Sequence, residues 1–313
     1  MMRIRISGKN PNHKSDQKKE RVISIKNDEK ILLQRHYRLG DLIMLEPVAR
    51  YFFEQGFKPV VATLPEYKPV LDCAIPPIGF EEHDNFPVHD FSKIFLLNKI
   101  HNNGRQGIVT KIDSFFAMCD IDPTCLTLEQ KRPKLECLPQ IRDLALEDLK
   151  LSGRTVLVST ESFKSTSPRS IPTNLFSCVF EKFQDINFII VGRHPVEIEE
   201  APNVSNWSGN TPALEQLISL VFHSDAVLTV DTGLMHLAGA LGKPILAVFG
   251  PTRPENLAMF YEKIIVLFAN KPCCPCFERG CEDLCVLKVP MALVEKYLQE
   301  ILDGFDSTKV IDF

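Results

Sequence analysis

The chain lacks an apolar run long enough to span a bilayer. It also lacks an apolar segment near its start, residues 7–30 being polar and charged. These absences argue against an integral membrane protein and set the expectation of a cytoplasmic one. No G-x-G-x-x-G follows the first predicted strand, which removes the main support for a dinucleotide oxidoreductase. The run Gly239-Ala-Leu-Gly242-Lys243-Pro244 fails as a phosphate loop: its spacing is too short, and Pro244 stands where a Ser or Thr would hold magnesium. No strong basic stripe is present, so a nucleic-acid partner is excluded. Internal repeats and low-complexity tracts are missing too. Cysteine is not scarce. Ten cysteines without an export signal point to a reducing compartment, hence to thiols or metal ligands rather than disulfides.

What remains is a chain of 313 residues, 44% hydrophobic and 24% charged, comfortable for two globular domains. Its net charge of −4 is uneven, because residues 1–150 carry 23 Lys and Arg against 21 Asp and Glu. The first thirty residues hold nine basic and four acidic side chains. They read as a solubilising extension (1–29), with attraction to anionic membrane headgroups as the alternative.

Apolar runs at 31–36, 59–64 and 93–98 read as strands, with a helix from about Leu42 to Gly56 and another over Val109–Met118. Further runs lie at 156–160, 188–192, 226–231, 245–250 and 264–269, with helical stretches at 172–183 and 212–224 and a last helix over Val289–Leu302. Runs apolar on both faces, alternating with helices, predict an α/β fold with covered parallel sheets. The expectation is two Rossmann-like domains, 1–145 and 146–313, facing each other across a cleft. The segment Asp231–Pro254 is the most telling. A strand ends at Asp231-Thr232-Gly233, a helix of small residues follows at once, and a second strand ends at Gly250-Pro251-Thr252. The first N–H groups of such a helix have no intrahelical partner and suit an anion such as a pyrophosphate.

Two ordered blocks carry a family resemblance. Leu39-Gly40-Asp41 with Met44-Leu45-Glu46-Pro47 resembles the opening of glycosyltransferase family 9, the heptosyltransferases. Gly209-Asn210-Thr211-Pro212-Ala213-Leu214-Glu215, running into DTGLMHLAGALGKP and FGPTRP, is similar to its C-terminal half. The resemblance implies GT-B architecture and inverting transfer of heptose from ADP-heptose to a lipopolysaccharide-core or related glycan. It places the acceptor on the N-terminal domain and the nucleotide-sugar donor on the C-terminal one. It implies no cofactor or metal in the chemistry, and an enzyme working in the cytoplasm, with peripheral contact at the inner membrane as an option. Another nucleotide sugar or acceptor, or a catalytically silent nucleotide-binding relative, are the competing readings.

By this resemblance Asp41 is the base that takes the acceptor hydroxyl proton; a helix N-cap is the alternative use of an Asp there. Asp231, Thr232 and Gly233 form the donor turn: Gly233 permits close approach, Thr232 offers a hydroxyl and an N–H, and Asp231 accepts from sugar hydroxyls. His236, one turn on, is either a ligand contact or a packed core histidine. Arg169 stands where the family has Lys, and Ile171 where it has Trp. Arg keeps the charge and clamps a diphosphate bidentately. Lys164 competes for that task, Glu197 is the candidate for the nucleotide ribose, and Thr211 either contacts the donor or caps a helix. Five of the ten cysteines fall within thirteen positions, Cys273 to Cys285. Cys274, Cys276, Cys281 and Cys285 have two readings: a structural zinc or iron site, or reduced thiols packed in a loop.

Overall fold

The computed structural model describes residues 29–36, 38–98, 110–145, 153–162, 168–199, 201–210, 213–276 and 284–313. All of the predicted N-terminal extension except Glu29 therefore lies outside the described residues, as do residues 146–152 beside the expected domain junction.

Two parallel sheets organise the rest. The first takes β1 (Lys30–Gln34), α1 (Leu39–Glu54), β2 (Lys58–Thr63), α2 (Lys68–Asp72), β3 (Gly79–Glu82) and β4 (Lys93–Leu96), in strand order β3-β2-β1-β4. Three helices, α3 (Lys111–Met118), α4 (Leu128–Lys131) and α5 (Pro139–Arg142), lead toward the second sheet. Its elements are β5 (Arg154–Ser159), α6 (Ser177–Lys182), β6 (Ile186–Ile190), β7 (Val204–Asn206), α7 (Leu214–His223), β8 (Ala226–Val230), α8 (Gly233–Ala240), β9 (Ile245–Phe249), α9 (Pro254–Leu257), β10 (Ile264–Phe268), α10 (Met291–Leu302) and β11 (Thr308–Asp312). They run in the order β11-β10-β9-β8-β5-β6-β7.

The sequence explains the central strands directly. β8, β9 and β10 read AVLTV, ILAVF and IIVLF, and every residue of each is buried. Strands covered on both faces are apolar throughout rather than alternating. The expected helix over 172–183 begins instead as a tight 3-10 turn (Thr173–Phe176) before α6.

Strand order fixes where a ligand binds. The chain reverses direction across the first sheet between β1 and β4, and across the second between β5 and β8. In open parallel sheets the crevice at the carboxyl ends of such strands is the binding position. The turns leaving β1 and β8 open α1 and α8, which pack on each other between the sheets. One hydrophobic core runs from Ile31 and Leu33 through Met44 and Val48 of α1 and Leu237 and Ala238 of α8 to Val227 and Ala247.

Glu46, part of the N-terminal motif, ties the connecting segment to this core. Its carboxylate accepts from the Lys134 backbone N–H at 2.9 Å and from Arg50 Nε at 2.8 Å. Arg50 in turn donates to the Arg132 carbonyl at 2.7 Å. Burial raises the Glu46 carboxyl above its usual range, against the opposing pull of Arg50.

Candidate active site

A cavity of about 810 Å³ opens where the two switch points face each other, and it is lined from both sheets. Asp41, Lys111 and Arg38 belong to one wall; Glu161, Arg169, Asp231, Thr232 and Gly233 belong to the other.

On the first wall Asp41 is the third residue of α1 and is 3% exposed. It is not the N-cap. Arg38 occupies that position with φ 83°, and no side chain caps the helix. The Asp41 side chain turns instead to two cations: Oδ1 accepts from Lys111 Nζ and Oδ2 from Arg35 Nη2. Arg35 follows β1 and is fixed from behind, its Nη1 donating to the Leu97 carbonyl at 2.6 Å and its guanidinium lying 5.8 Å from the centre of the Phe115 ring. Burial pushes the Asp41 carboxyl up, and this is the largest single influence; Lys111 and Arg35 together outweigh it and hold the group below its ordinary value.

On the second wall Asp231 follows β8 and gathers two other loops. Its Oδ2 accepts from Arg169 Nη1 at 3.1 Å and from Thr252 Oγ1 at 2.9 Å. The loops after β5, β8 and β9 are thereby pinned at one point. This alters the expectation for Asp231: its Oδ2 is committed to protein partners rather than to sugar hydroxyls. Arg169 is held facing the cavity by the same contact. Thr232 occupies the N-cap position of α8 in extended conformation, yet its side chain makes no capping hydrogen bond. Thr232, Gly233 and Leu234, at the start of α8, all line the cavity.

Gly233 lines the cavity and also has a packing role. A Cβ there would meet Leu39 Cβ at 3.0 Å, and a Cβ on Gly40 would meet His236 Cδ2 at 2.5 Å. Both glycines let α1 and α8 approach across the cleft floor. His236 is the packed core histidine of its two readings. It borders the cavity, yet it is 3% exposed, and its Nδ1 shares a 2.8 Å hydrogen bond with the Tyr261 hydroxyl. Burial lowers its pKa to about 4, so the ring is neutral at neutral pH.

Lys164 and Thr211 lie outside the described residues. Glu197 is exposed and does not line the cavity, because it follows β6 on the outward turn. Glu161, just past β5, does line the donor wall, as does Glu215 of α7. The Glu161 Oε2 is buried without a hydrogen-bond partner, and burial raises the pKa of Glu161. Four residues escaped the sequence reading: Arg35, Lys111, Glu161 and Thr252. Thr252 stands in the FGPTRP string and was findable there. Lys111 is separated from Asp41 by 70 residues, so only tertiary structure pairs them.

The cysteine cluster is seen in part. Cys281 lies outside the described residues. Cys274 is buried, its thiol pushed up to about 11 chiefly by burial. Cys285 packs against Gly250, where an added Cβ would meet its Sγ at 2.7 Å. Among the described residues, Cys274, Cys276 and Cys285 do not form a group of three ligands; the group of that kind is His36, His83 and Asp84. Those two rings pack edge to face with centroids 3.8 Å apart. Two imidazoles sharing a zinc at N–Zn distances of about 2.0–2.1 Å stand roughly 5 Å apart, so this pair is packed edge to face rather than chelating.

The family model for "Glycosyltransferase family 9 (heptosyltransferase)" matches residues 204–287. Among curated proteins, lipopolysaccharide heptosyltransferase 1 of Pseudomonas aeruginosa is 43% identical over 56 residues, 18% of this chain and 16% of that protein. The matched stretch thus spans about one sixth of that relative. Among solved structures, the ADP-heptose lps heptosyltransferase II of E. coli superposes with a TM-score of 0.68 at 14% identity, covering 87% of this chain and 98% of that one. The iron-containing dodecameric glycosyltransferase TibC of enterotoxigenic E. coli H10407 gives 0.66 at 13% identity, covering 88% and 79%. The resemblance to family 9 is borne out over the donor-wall block, and the GT-B architecture over nearly the whole fold.

Proposed function

We propose that this chain is an inverting glycosyltransferase that moves heptose from ADP-heptose to a sugar hydroxyl of a lipopolysaccharide core or related glycan. The observation that carries the reading is the opposition of Asp41 to the Thr232–Gly233 helix start across one cleft. In the proposed reaction the acceptor hydroxyl loses its proton to Asp41 as its oxygen attacks the anomeric carbon. The bond from that carbon to the diphosphate oxygen breaks, and the electron pair leaves with ADP. Attack and departure on opposite faces invert the centre. The leaving charge meets Arg169, the Thr232 hydroxyl and the N-terminus of α8, which supply fixed dipoles and a cation where negative charge develops. On this reading transfer needs no metal, and protein treated with EDTA keeps its rate. Any iron or zinc at the C-terminal cysteines would be structural. Contact with the inner membrane through the basic extension belongs to the same proposal.

One observation favours the alternative of another nucleotide sugar. Ile171, standing where the family has Trp, is 1% exposed and packs into the core of the second sheet. It offers the donor no ring.

Turnover of ADP-heptose with truncated lipopolysaccharide cores, followed by ADP release and product mass, tests the proposal. Binding is tested separately by melting. A ligand at one hundred times its dissociation constant stabilises the fold by about 2.7 kcal/mol. ADP is expected to shift melting well above UDP, GDP or NAD. An equal response to all four, or to none, contradicts the donor assignment.

A further inference from the structure

The base in this cleft is not ready to act. Both oxygens of the Asp41 carboxylate are occupied by cations, Oδ1 by Lys111 and Oδ2 by Arg35. Each oxygen keeps a second lone pair, but two charge-assisted hydrogen bonds hold the carboxylate's charge and make it a weak proton acceptor. The two partners are not alike. Arg35 is 8% exposed and held by the Leu97 carbonyl as well, with Phe115 beneath it. It cannot leave without breaking its bond to the Leu97 carbonyl. Lys111 is the first residue of α3 and lines the cavity, and Asp41 is its partner. A lysine is a compact charge on a flexible four-carbon stem, so its head moves without disturbing the helix behind it.

We propose that Lys111 is a positioning residue that keeps Asp41 inactive until an acceptor arrives, then transfers its hydrogen bond from Oδ1 to an oxygen of that acceptor. This rests on the glycosyltransferase reading given above. The transfer releases Oδ1 at the moment when a hydroxyl is beside it, and it leaves Asp41 with Arg35 as its remaining ion pair. The proton then passes from the acceptor hydroxyl to Oδ1, the new glycosidic bond forms, and the bond to the diphosphate breaks. The purpose is protection of the donor. Water is the most abundant competing nucleophile in an open cleft, and a base held by two cations does not activate it.

The charged and titratable groups around Asp41 are few. Arg35 follows β1, Lys111 opens α3, and His236 comes from α8. Asp231 and Arg169 belong to the facing wall. His236 titrates near pH 4 and is neutral over the working range. Removing Lys111 therefore acts on Asp41 itself.

The test uses the full chain, ADP-heptose and no acceptor, with ADP release followed from about pH 3 to pH 9. In wild type, release is slow. Lys111→Met is expected to release ADP several-fold faster at neutral pH, because a carboxylate freed of one cation is a stronger general base. Its acid limb is expected to lie at higher pH than that of wild type. The double variant Lys111→Met, Asp41→Asn is expected to return to the wild-type rate or below. Melting temperature and ADP binding of each variant establish that it is folded. A folded, ADP-binding Lys111→Met with unchanged or slower release and an unmoved acid limb overturns the proposal, as does a double variant as fast as Lys111→Met alone. If wild type fails to bind ADP at all, the donor reading fails first, and this one falls with it.

Discussion

The two walls of the cleft handle charge in opposite ways. On the first wall one carboxylate, Asp41, is surrounded by cations. On the second wall a carboxylate, Asp231, serves to aim a cation, Arg169, and a hydroxyl, Thr252. On the proposed reading the first arrangement stores a proton acceptor and restrains it, and the second builds a positive, donor-rich surface at a helix start. The same ion-pair chemistry would then serve a reacting group on one side and a binding group on the other.

If this division is correct, breaking the first wall removes chemistry and spares binding. Asp41→Asn is expected to cost about 10²- to 10⁴-fold in transfer, the usual range for a general base, while ADP still raises the melting temperature as in wild type. An Asn variant with full turnover removes the assignment.

The floor between the walls responds to acid. His236 is held neutral by burial, its pKa falling from an ordinary 6.5 to about 4. A depressed pKa contributes stability that is complete above about pH 6.5 and is lost as pH falls through 4. Over that window roughly 2–3 kcal/mol of stability is expected to disappear. Urea melts of wild type and His236→Gln at pH 7 and pH 4 measure it. The variant is expected to show less acid dependence, and identical slopes contradict the argument.

Breaking the second wall does the reverse of breaking the first. Arg169→Met is expected to weaken ADP binding by about 10- to 100-fold, the loss of a charge-assisted contact of roughly 1.5–3 kcal/mol. Titration calorimetry reads it. Unchanged affinity would move the diphosphate to another cation.

The smallest effect sharpens the comparison at the joint. Gly40→Ala puts a Cβ against the His236 ring and is expected to cost about 1–3 kcal/mol of stability through overpacking. A thermal melt as high as wild type would mean that α1 and α8 are less tightly apposed.

The second wall was far more legible in the sequence than the first. Its strands are uniformly apolar, its turn residues follow them directly, and strand, turn and helix are contiguous from Ala226 to Ala240. Local rules suffice for such a segment. The first wall depends on pairs distant in the chain, Asp41 with Lys111 and Arg35 with Leu97, which no periodicity reveals. Three strands went unread for a related reason. β3, β7 and β11 have no fully buried residue and no continuous apolar run, because each sits at the edge of its sheet. Glu197 follows the strand end after β6, whereas Glu161, which lines the cavity, follows the end of β5, one strand away.

The most direct test of the two-wall account is a crystal structure with ADP bound. The account predicts the β-phosphate within hydrogen-bonding distance of Arg169 and of the Thr232 and Gly233 N–H groups, with Asp41 facing it across an open space large enough for one sugar ring. A nucleotide seated away from the start of α8, or an Asp41 side chain turned out of the cleft, would contradict it.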